Sequence, residues 1–155
     1  MKFSTRTDIE APIEHVFAEV SDFSTFERSA MRRGAKVQRV DSQDVRGPGM
    51  AWQTEFTFRG KTREVRIDLE DYEEPVMLGF AGKSAGLTGF CEIELIALSP
   101  KKTRMRVSLD LKPHTLSARL LIQSIKLAKG TVDKKFEARV ADYARDIAAR
   151  QDRMA

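Results

Sequence analysis

Across the middle of the sequence the apolar residues recur at every second position, and after Pro113 they recur at every third or fourth position. A period of two indicates β-strands with one buried face, whereas the longer period indicates an amphipathic helix. Strands are predicted over residues 2–10, 35–43, 50–59, 76–83, 87–98 and 102–112, with a further strand around Val65, Ile67 and Leu69. The chain is therefore expected to fold as a run of half-buried antiparallel strands followed by helix.

Two short helical segments are predicted between the first strand and the others. Pro12 suits the first turn of a helix, because its missing N–H would have no partner there. Apolar residues follow it at helical spacing, namely Ile13, Val16, Phe17 and Val20. Ser21 or Asp22 can cap a second helix, with Phe23 and Phe26 on its inner side.

The helical pattern after Pro113 continues almost to the end of the sequence, and Thr115 or Ser117 can cap its start. Its apolar stripe comprises Leu121, Ile125, Ala128, Val132, Phe136, Val140, Tyr143 and Ile147. Gly130 interrupts the helix at a cost of about 1 kcal/mol relative to alanine. Since the stripe stays in phase across this glycine, we expect a kink or two abutting helices there.

The order of these elements predicts an α+β fold, with a curved antiparallel sheet of about seven strands wrapped around a long C-terminal helix. A single domain over residues 1–155 is expected, because a chain of this length with 41% hydrophobic residues can bury one core. One helix cannot fill the concavity of such a sheet. The remaining space is either packed by large side chains or left as a cavity, and the two short helices close one end of it.

Two stretches carry a resemblance to a known family. They are IEAPIEHVFAEVSDFSTFE after the first strand and RGPGMAW before an aromatic strand, and the closing helix completes the pattern. With these features the whole chain resembles the START/Bet v1-like superfamily (SRPBCC, polyketide cyclase/dehydrase and lipid transport), whose fold is called helix-grip. The resemblance implies a deep apolar cavity between sheet and long helix, in which members bind lipids, polyketides, quinones or hormones. Some members are cyclases or dehydratases, and others act on partner proteins.

The side chains predicted to face this cavity are almost all apolar. The proposed lining is Trp52, Thr54, Phe56, Arg63, Ile67, Leu69, Leu95, Val107, Leu109, Leu121 and Ile125. Thr54 and Arg63 are the candidate polar anchors, since an inward arginine at a strand end can hold a carboxylate or phosphate through two hydrogen bonds. A solvent-exposed strand end is the alternative for Arg63.

No catalytic, cofactor or metal site is predicted. The inward faces carry no histidine and no paired carboxylates, which acid–base chemistry would need. Cys91 lies on an apolar strand face, where a cysteine is usually a small core residue. His15 is assigned to the polar surface of the first helix, and His114 to the start of the last helix near a cavity mouth. Two distant histidines and one cysteine give no zinc spacing.

The charge of the chain is uneven, because residues 101–155 hold 14 Lys and Arg against 6 Asp and Glu. A solvated helix face explains this excess, and a weak contact with an anionic membrane surface is an open alternative through Lys126, Lys129, Lys134 and Lys135. Nucleic acid is not expected as a partner, since Phe136 and Tyr143 belong to the apolar stripe and are not free to stack on bases. Without an apolar leader segment the expected location is cytoplasmic.

The function predicted from the sequence is non-catalytic binding or transport of a hydrophobic small molecule, such as a lipid, polyketide or quinone-like compound. A cofactor-free cyclase or dehydratase acting on a polyketide-like substrate is the alternative, and a protein-interaction module is a third possibility.

Overall fold

The computed structural model of the protein describes residues 1–154. In chain order the elements are β1 (Lys2–Ile9), α1 (Ile13–Val20), α2 (Phe23–Arg32), β2 (Lys36–Arg39), β3 (Ala51–Phe58), β4 (Lys61–Glu73), β5 (Met77–Ser84), β6 (Leu87–Ser99), β7 (Lys102–Pro113), α3 (Leu116–Leu127) and α4 (Lys129–Met154). None of these helices is long and apolar enough to span a membrane.

The strands form one sheet in the order β1-β7-β6-β5-β4-β3-β2, and all neighbours are antiparallel. Short hairpins make each connection from β3 to β7. At the tip of the β3–β4 hairpin Arg59 and Gly60 both have positive φ, 53° and 75°, the backbone that a tight two-residue hairpin requires. The predicted α+β helix-grip arrangement, with two short helices after the first strand, is confirmed.

The packed core occupies one end of the sheet, where α1, α2 and the second half of α4 meet the strands. Its buried members include Val16, Phe17, Val20, Phe23, Trp52, Leu69, Leu78, Leu95, Met105, Val140, Ala144 and Ile147. A bulge in β4 between Leu69 and Asp71 brings Tyr72 onto the same inner face as Leu69, and Tyr72 packs edge-on against Phe17 at 5.4 Å between ring centroids. The sequence pattern did not reveal this bulge.

Polar contacts fasten α1 to α4 and correct the surface position predicted for His15. Its Nε2 lies 3.1 Å from the carbonyl of Ile147, and its side chain is only 10% exposed. One turn further along, Arg150 donates to the Glu19 carboxylate at 2.7 Å. The hydroxyl of Tyr143 donates to the Glu19 carbonyl at 3.3 Å. His15 is therefore covered by a helix that lies far away in the sequence.

The C-terminal helical region consists of two abutting helices, which was one of the two arrangements expected from the sequence. The break falls at Ala128 and not at Gly130. The N–H of Ala128 bonds to the carbonyl of Ile125 at 3.0 Å and closes α3, and Gly130 lies inside the first turn of α4. Thr115 caps α3 by accepting from Ala118 N–H at 3.2 Å, so Thr115, and not Ser117, is the cap.

The strand predicted over 35–43 is shorter in the structure. After β2 the Asp41 carboxylate accepts hydrogen bonds from the backbone N–H of Gln43 at 2.9 Å and of Ala51 at 2.8 Å. These side-chain bonds stabilise a turn in place of further ladder pairing, which is the usual effect of an aspartate in such a position.

Candidate ligand-binding cavity

A cavity of about 1430 Å³ lies at the end of the sheet opposite the packed core. The inner faces of the β3–β4 and β5–β6 hairpins form one wall, and α3 with the first turns of α4 forms the other. The cavity lies at this end of the sheet because the core-forming residues of α4 cover only the opposite end. These residues are Val140, Ala144 and Ile147. A site of this size can take an organic molecule of substantial length.

The floor of the cavity is apolar and is built mainly from residues of alternate strand positions. It comprises Phe3, Phe56, Val65, Leu87, Leu109, Leu111, Leu121, Ile125, Val132 and Phe136. Phe3 is paired with Leu109 across β1 and β7, and Phe3 contacts Phe136 with ring centroids 6.0 Å apart. Strand and helix residues together therefore give a surface suited to hydrocarbon.

A recess of about 270 Å³ continues from the cavity into the sheet, since the two share Phe56, Val65, Ser84, Leu87, Leu109 and Leu111. Ile67, Phe80, Gly82 and Cys91 line its inner part. Burial, and then the charge of Glu92, raises the pKa of the Cys91 thiol to about 11. A thiol of such high pKa is a poor nucleophile near neutral pH, so Cys91 acts as a small apolar lining group.

The open end of the cavity is bordered by basic side chains near the tip of the β3–β4 hairpin. Arg63 donates from Nε to the carbonyl of Phe58 at 3.2 Å, and its guanidinium lies 5.6 Å from the centre of the Phe58 ring. Arg59 lies at the same distance from that ring and bonds to the hydroxyl of Ser124 on α3. The hairpin tip is thus held against the helix at the cavity mouth.

Of the eleven residues predicted to line the site, six line the cavity or its recess, namely Phe56, Arg63, Ile67, Leu109, Leu121 and Ile125. The other five, Trp52, Thr54, Leu69, Leu95 and Val107, do not. Trp52, Leu69 and Leu95 belong to the packed core at the other end of the sheet, and Val107 packs against that core. These residues share the inner face with the cavity residues but lie further along their strands, where the helices fill the space.

Trp52 and Thr54 illustrate why the inner face alone does not define the site. Trp52 is 5% exposed, packs edge-on against Phe23 at 5.3 Å and donates from Nε1 to the carboxylate of Glu27 at 3.0 Å. The hydroxyl of Thr54 donates to the carbonyl of Val65 at 2.9 Å across the β3–β4 pair. Both polar groups are therefore committed to the protein itself.

Sequence reasoning missed lining residues at the two hairpin tips and on α4. Arg59, Lys61, Ser84 and Ala85 lie in or beside turns, where the period-two pattern ends. On α4 the predicted lining omitted Val132, Lys135 and Phe136, and on β1 it omitted Phe3. The tip residues could have been identified by their distance from the core end of the sheet. That distance can be judged only once the sheet topology is known.

Two titratable groups singled out by their surroundings or by the sequence, Glu92 and His114, lie outside the cavity. Glu92 lies on the opposite face of the sheet, where hydrogen bonding with Glu94, partial burial and the negative charges of Glu94 and Asp71 raise its pKa to about 7. His114 is exposed, bonds to Thr88 at 2.8 Å and does not line the cavity. Within residues 1–154 no group of three or more His, Cys, Asp or Glu side chains is arranged to hold a metal ion.

Comparisons with known proteins identify the fold. No protein-family model and no curated protein matches the sequence. The solved structure of TTHA0849 from Thermus thermophilus has a TM-score of 0.69 at 14% identity, over 96% of this chain and 98% of that one. A START superfamily protein from Mycobacterium smegmatis has a TM-score of 0.65 at 13% identity over 99% of both chains.

A third neighbour is the Zhui aromatase/cyclase from Streptomyces sp. R1128, with a TM-score of 0.62 at 13% identity over 94% of this chain and 93% of that one. Such identities establish a shared fold. The protein therefore has the START/Bet v1-like helix-grip fold that the sequence resemblance implied.

Proposed function

We propose that the protein binds an apolar small molecule in the cavity at the hairpin end of the sheet, as a carrier or binding protein that performs no chemistry on it. The observation that carries this proposal is the apolar floor, which continues into the recess beyond Phe56. Removing apolar ligand surface from water yields roughly 25 cal/mol per Å² before ordering costs. An elongated hydrocarbon or ring system gains most from a cavity of this shape.

The experiment that tests the proposal is native mass spectrometry of protein purified from its own cells, with extraction and identification of any bound small molecule. A co-purified apolar compound supports the carrier function. Protein that is empty, and that also fails to bind apolar fluorescent probes, would contradict it.

The alternative from the sequence is a cyclase or dehydratase type of enzyme, the activity in the name of the Streptomyces neighbour. Such a reaction needs two or more titratable groups that converge on one substrate atom. In the described lining the deep end offers only the Cys91 thiol, and the other titratable groups lie around the mouth. No observation favours the enzyme over the carrier, and a protein-interaction module accounts for none of the cavity.

A weak contact with an anionic membrane surface stays a proposal for α3. Three exposed leucines, Leu116, Leu120 and Leu127, recur at four- and seven-residue spacing along it. Lys126 is exposed beside them, whereas Lys129 is paired with Asp133 at 2.8 Å. Apolar and basic residues on one helix favour an anionic interface. Sedimentation with phosphatidylglycerol vesicles, and its absence with phosphatidylcholine vesicles, would support the contact.

The cytoplasmic location expected from the sequence also stays a prediction.

A further inference from the structure

Six basic side chains reach the cavity lining, of which Arg66 and Lys83 have outward positions in β4 and β5. The other four border its open end, and we call them the cationic rim. They are Arg59, Lys61, Arg63 and Lys135, from the β3–β4 hairpin and from α4. In the sheet register Arg63 is opposite Phe56 and Lys61 is opposite Phe58, so each of these two cations stands beside an aromatic ring of the cavity. The rim is therefore continuous with the apolar floor.

Arg63 has the clearest unused binding capacity. It lies on the inner face of β4, at the same parity as Val65 and Ile67, and it is half-buried. Its Nε donates to the Phe58 carbonyl, but among the described residues its two terminal nitrogens have no acceptor. The N–H groups left on those nitrogens form the planar fork that matches a carboxylate or a phosphate.

The other rim cations are also without carboxylate partners. None of the ion pairs within residues 1–154 includes Arg59, Lys61, Arg63 or Lys135. By contrast Arg66, three residues beyond Arg63 in β4, is paired with Asp68 at 3.2 Å. Arg66 also reaches the cavity lining, but it has the opposite parity to Arg63 in β4 and its charge is already paired, so it is not counted with the rim.

A single carboxylate reaches the cavity lining, that of Glu64, as far as the described residues extend. In β4 its position has the opposite parity to Lys61, Arg63 and Val65, and it is cross-strand to Glu55, which pairs with Lys36 at 3.5 Å. Glu64 therefore faces the outer side of the sheet and does not neutralise the rim from within.

An exposed lysine or arginine on its own is ordinary, since water solvates it and a surface ion pair contributes little. The rim is distinctive because it surrounds the mouth of an apolar cavity and lacks internal counter-charges. On these grounds we infer that the ligand is an anionic amphiphile, with a carboxylate or phosphate head at the rim and an apolar body in the cavity. This inference rests on the proposed function of the cavity.

In the bound complex the head accepts two hydrogen bonds from the terminal nitrogens of Arg63, and Lys61 and Lys135 supply additional positive charge. The apolar body runs past Phe56 towards Leu109 and the recess. Each charge-assisted hydrogen bond at a partly exposed site adds more than a neutral one. The rim thereby selects the anionic form over a neutral compound with the same body.

A pair of matched probes tests this selection, a dansyl-labelled long-chain carboxylic acid and its methyl ester. By fluorescence titration at low ionic strength we expect the acid to bind about tenfold more tightly than the ester. The difference should shrink as salt is added, because salt screens exposed charges. An alkyl phosphate and inorganic phosphate are used as competitors. Comparing them distinguishes binding of an anionic head attached to a hydrocarbon body from binding of a free anion.

Variants assign the effect to the rim. Arg63→Gln should reduce the ratio of acid to ester affinity to about one to twofold, whereas Lys101→Gln, an exposed change at the opposite end of the sheet, should leave that ratio unchanged. Thermal melts of both variants check that they are folded. Equal affinity for acid and ester, an unaltered ratio in Arg63→Gln, or competition by inorganic phosphate as strong as by the alkyl phosphate would overturn the inference while the carrier proposal stands. Failure to bind either probe would overturn both.

Discussion

Arg59, at the tip of the β3–β4 hairpin, donates a hydrogen bond to the hydroxyl of Ser124 on α3. This contact joins the two walls of the cavity at its open end. Because both residues are at the surface, the bond contributes about 0.5–1.5 kcal/mol at most and can open readily. It is suited to control how fast a ligand leaves without greatly affecting how the protein folds.

Removing this bond should therefore accelerate ligand release. For Ser124→Ala we expect the dissociation rate of the dansyl-labelled acid, measured by stopped-flow displacement, to rise by up to about tenfold, with a change in melting temperature of only a few degrees. Ser117→Ala is the matched control, since Ser117 also lies on α3 but has no side-chain hydrogen bond in the described structure. Equal release rates in the two variants would show that the hairpin contact does not limit release.

The buried thiol in the recess gives a second prediction. With a pKa of about 11, Cys91 is thiolate in only roughly one molecule in ten thousand at neutral pH. Iodoacetamide should alkylate it far more slowly than it alkylates the urea-unfolded chain, and the rate should rise with pH. Because Cys91 lines the recess, a bound apolar ligand should slow the reaction further. Intact-mass analysis measures the rate, and rapid alkylation of the native protein at neutral pH would contradict this placement.

The carboxylates on the outer face of the sheet give a pH prediction. The pKa of Glu92 rises from 4.5 to about 7 on folding, so the native state binds this proton more tightly than the unfolded state does. The resulting stabilisation is complete below about pH 4.5 and is lost as the pH rises through about 7. Glu92→Gln should therefore be more stable than the natural protein at about pH 8, and the gain should diminish towards about pH 5.

This comparison is made from urea unfolding of both proteins across the pH range, with Glu70→Gln as the control. Glu70 is exposed on β4, in the bulge itself. Taking the difference between variant and natural protein removes the opposing contributions of Asp8 and Asp41, whose pKa values are lowered by their arginine partners. A gain from Glu92→Gln that is the same at every pH would contradict the assigned cause.

The fold could be predicted because it depends on patterns that are local in the sequence. The change of period at Pro113, the helix start at Pro12 and the glycine turns fix the order of elements, and antiparallel neighbours follow from the short connections. The bulge after Leu69 could not be predicted in this way, because one extra residue leaves no signature in an alternating pattern.

The site could be predicted only in part because side-chain parity gives the face of a strand and not the position along it. Trp52 and Phe56 lie on the same face of β3, yet Trp52 is 5% exposed in the core and Phe56 is 37% exposed in the cavity. The difference in exposure arises because α2 and α4 cover the part of the sheet that contains Trp52 but do not extend over Phe56. His15 shows the same limit, since the helix that buries it lies more than a hundred residues away.

The most direct test of the central claim, that the cavity holds an apolar ligand, is a titration of the neutral methyl ester probe into a protein whose recess is filled. Gly82 faces the recess, and a Cβ there would be in ordinary contact, 3.6 Å from the nearest atom, Val65 Cγ1. Gly82→Val should keep or raise the melting temperature, because valine suits a strand better than glycine. Its methyl groups occupy the recess.

Ala81→Val is the matched control, since Ala81 precedes Gly82 in β5 and faces the opposite side of the sheet. The account predicts that Gly82→Val weakens probe binding by about tenfold or more while Ala81→Val binds as the natural protein does. Folded Gly82→Val protein that binds the probe with unchanged affinity would contradict the account, because the account places the apolar body of the ligand in the recess that valine fills.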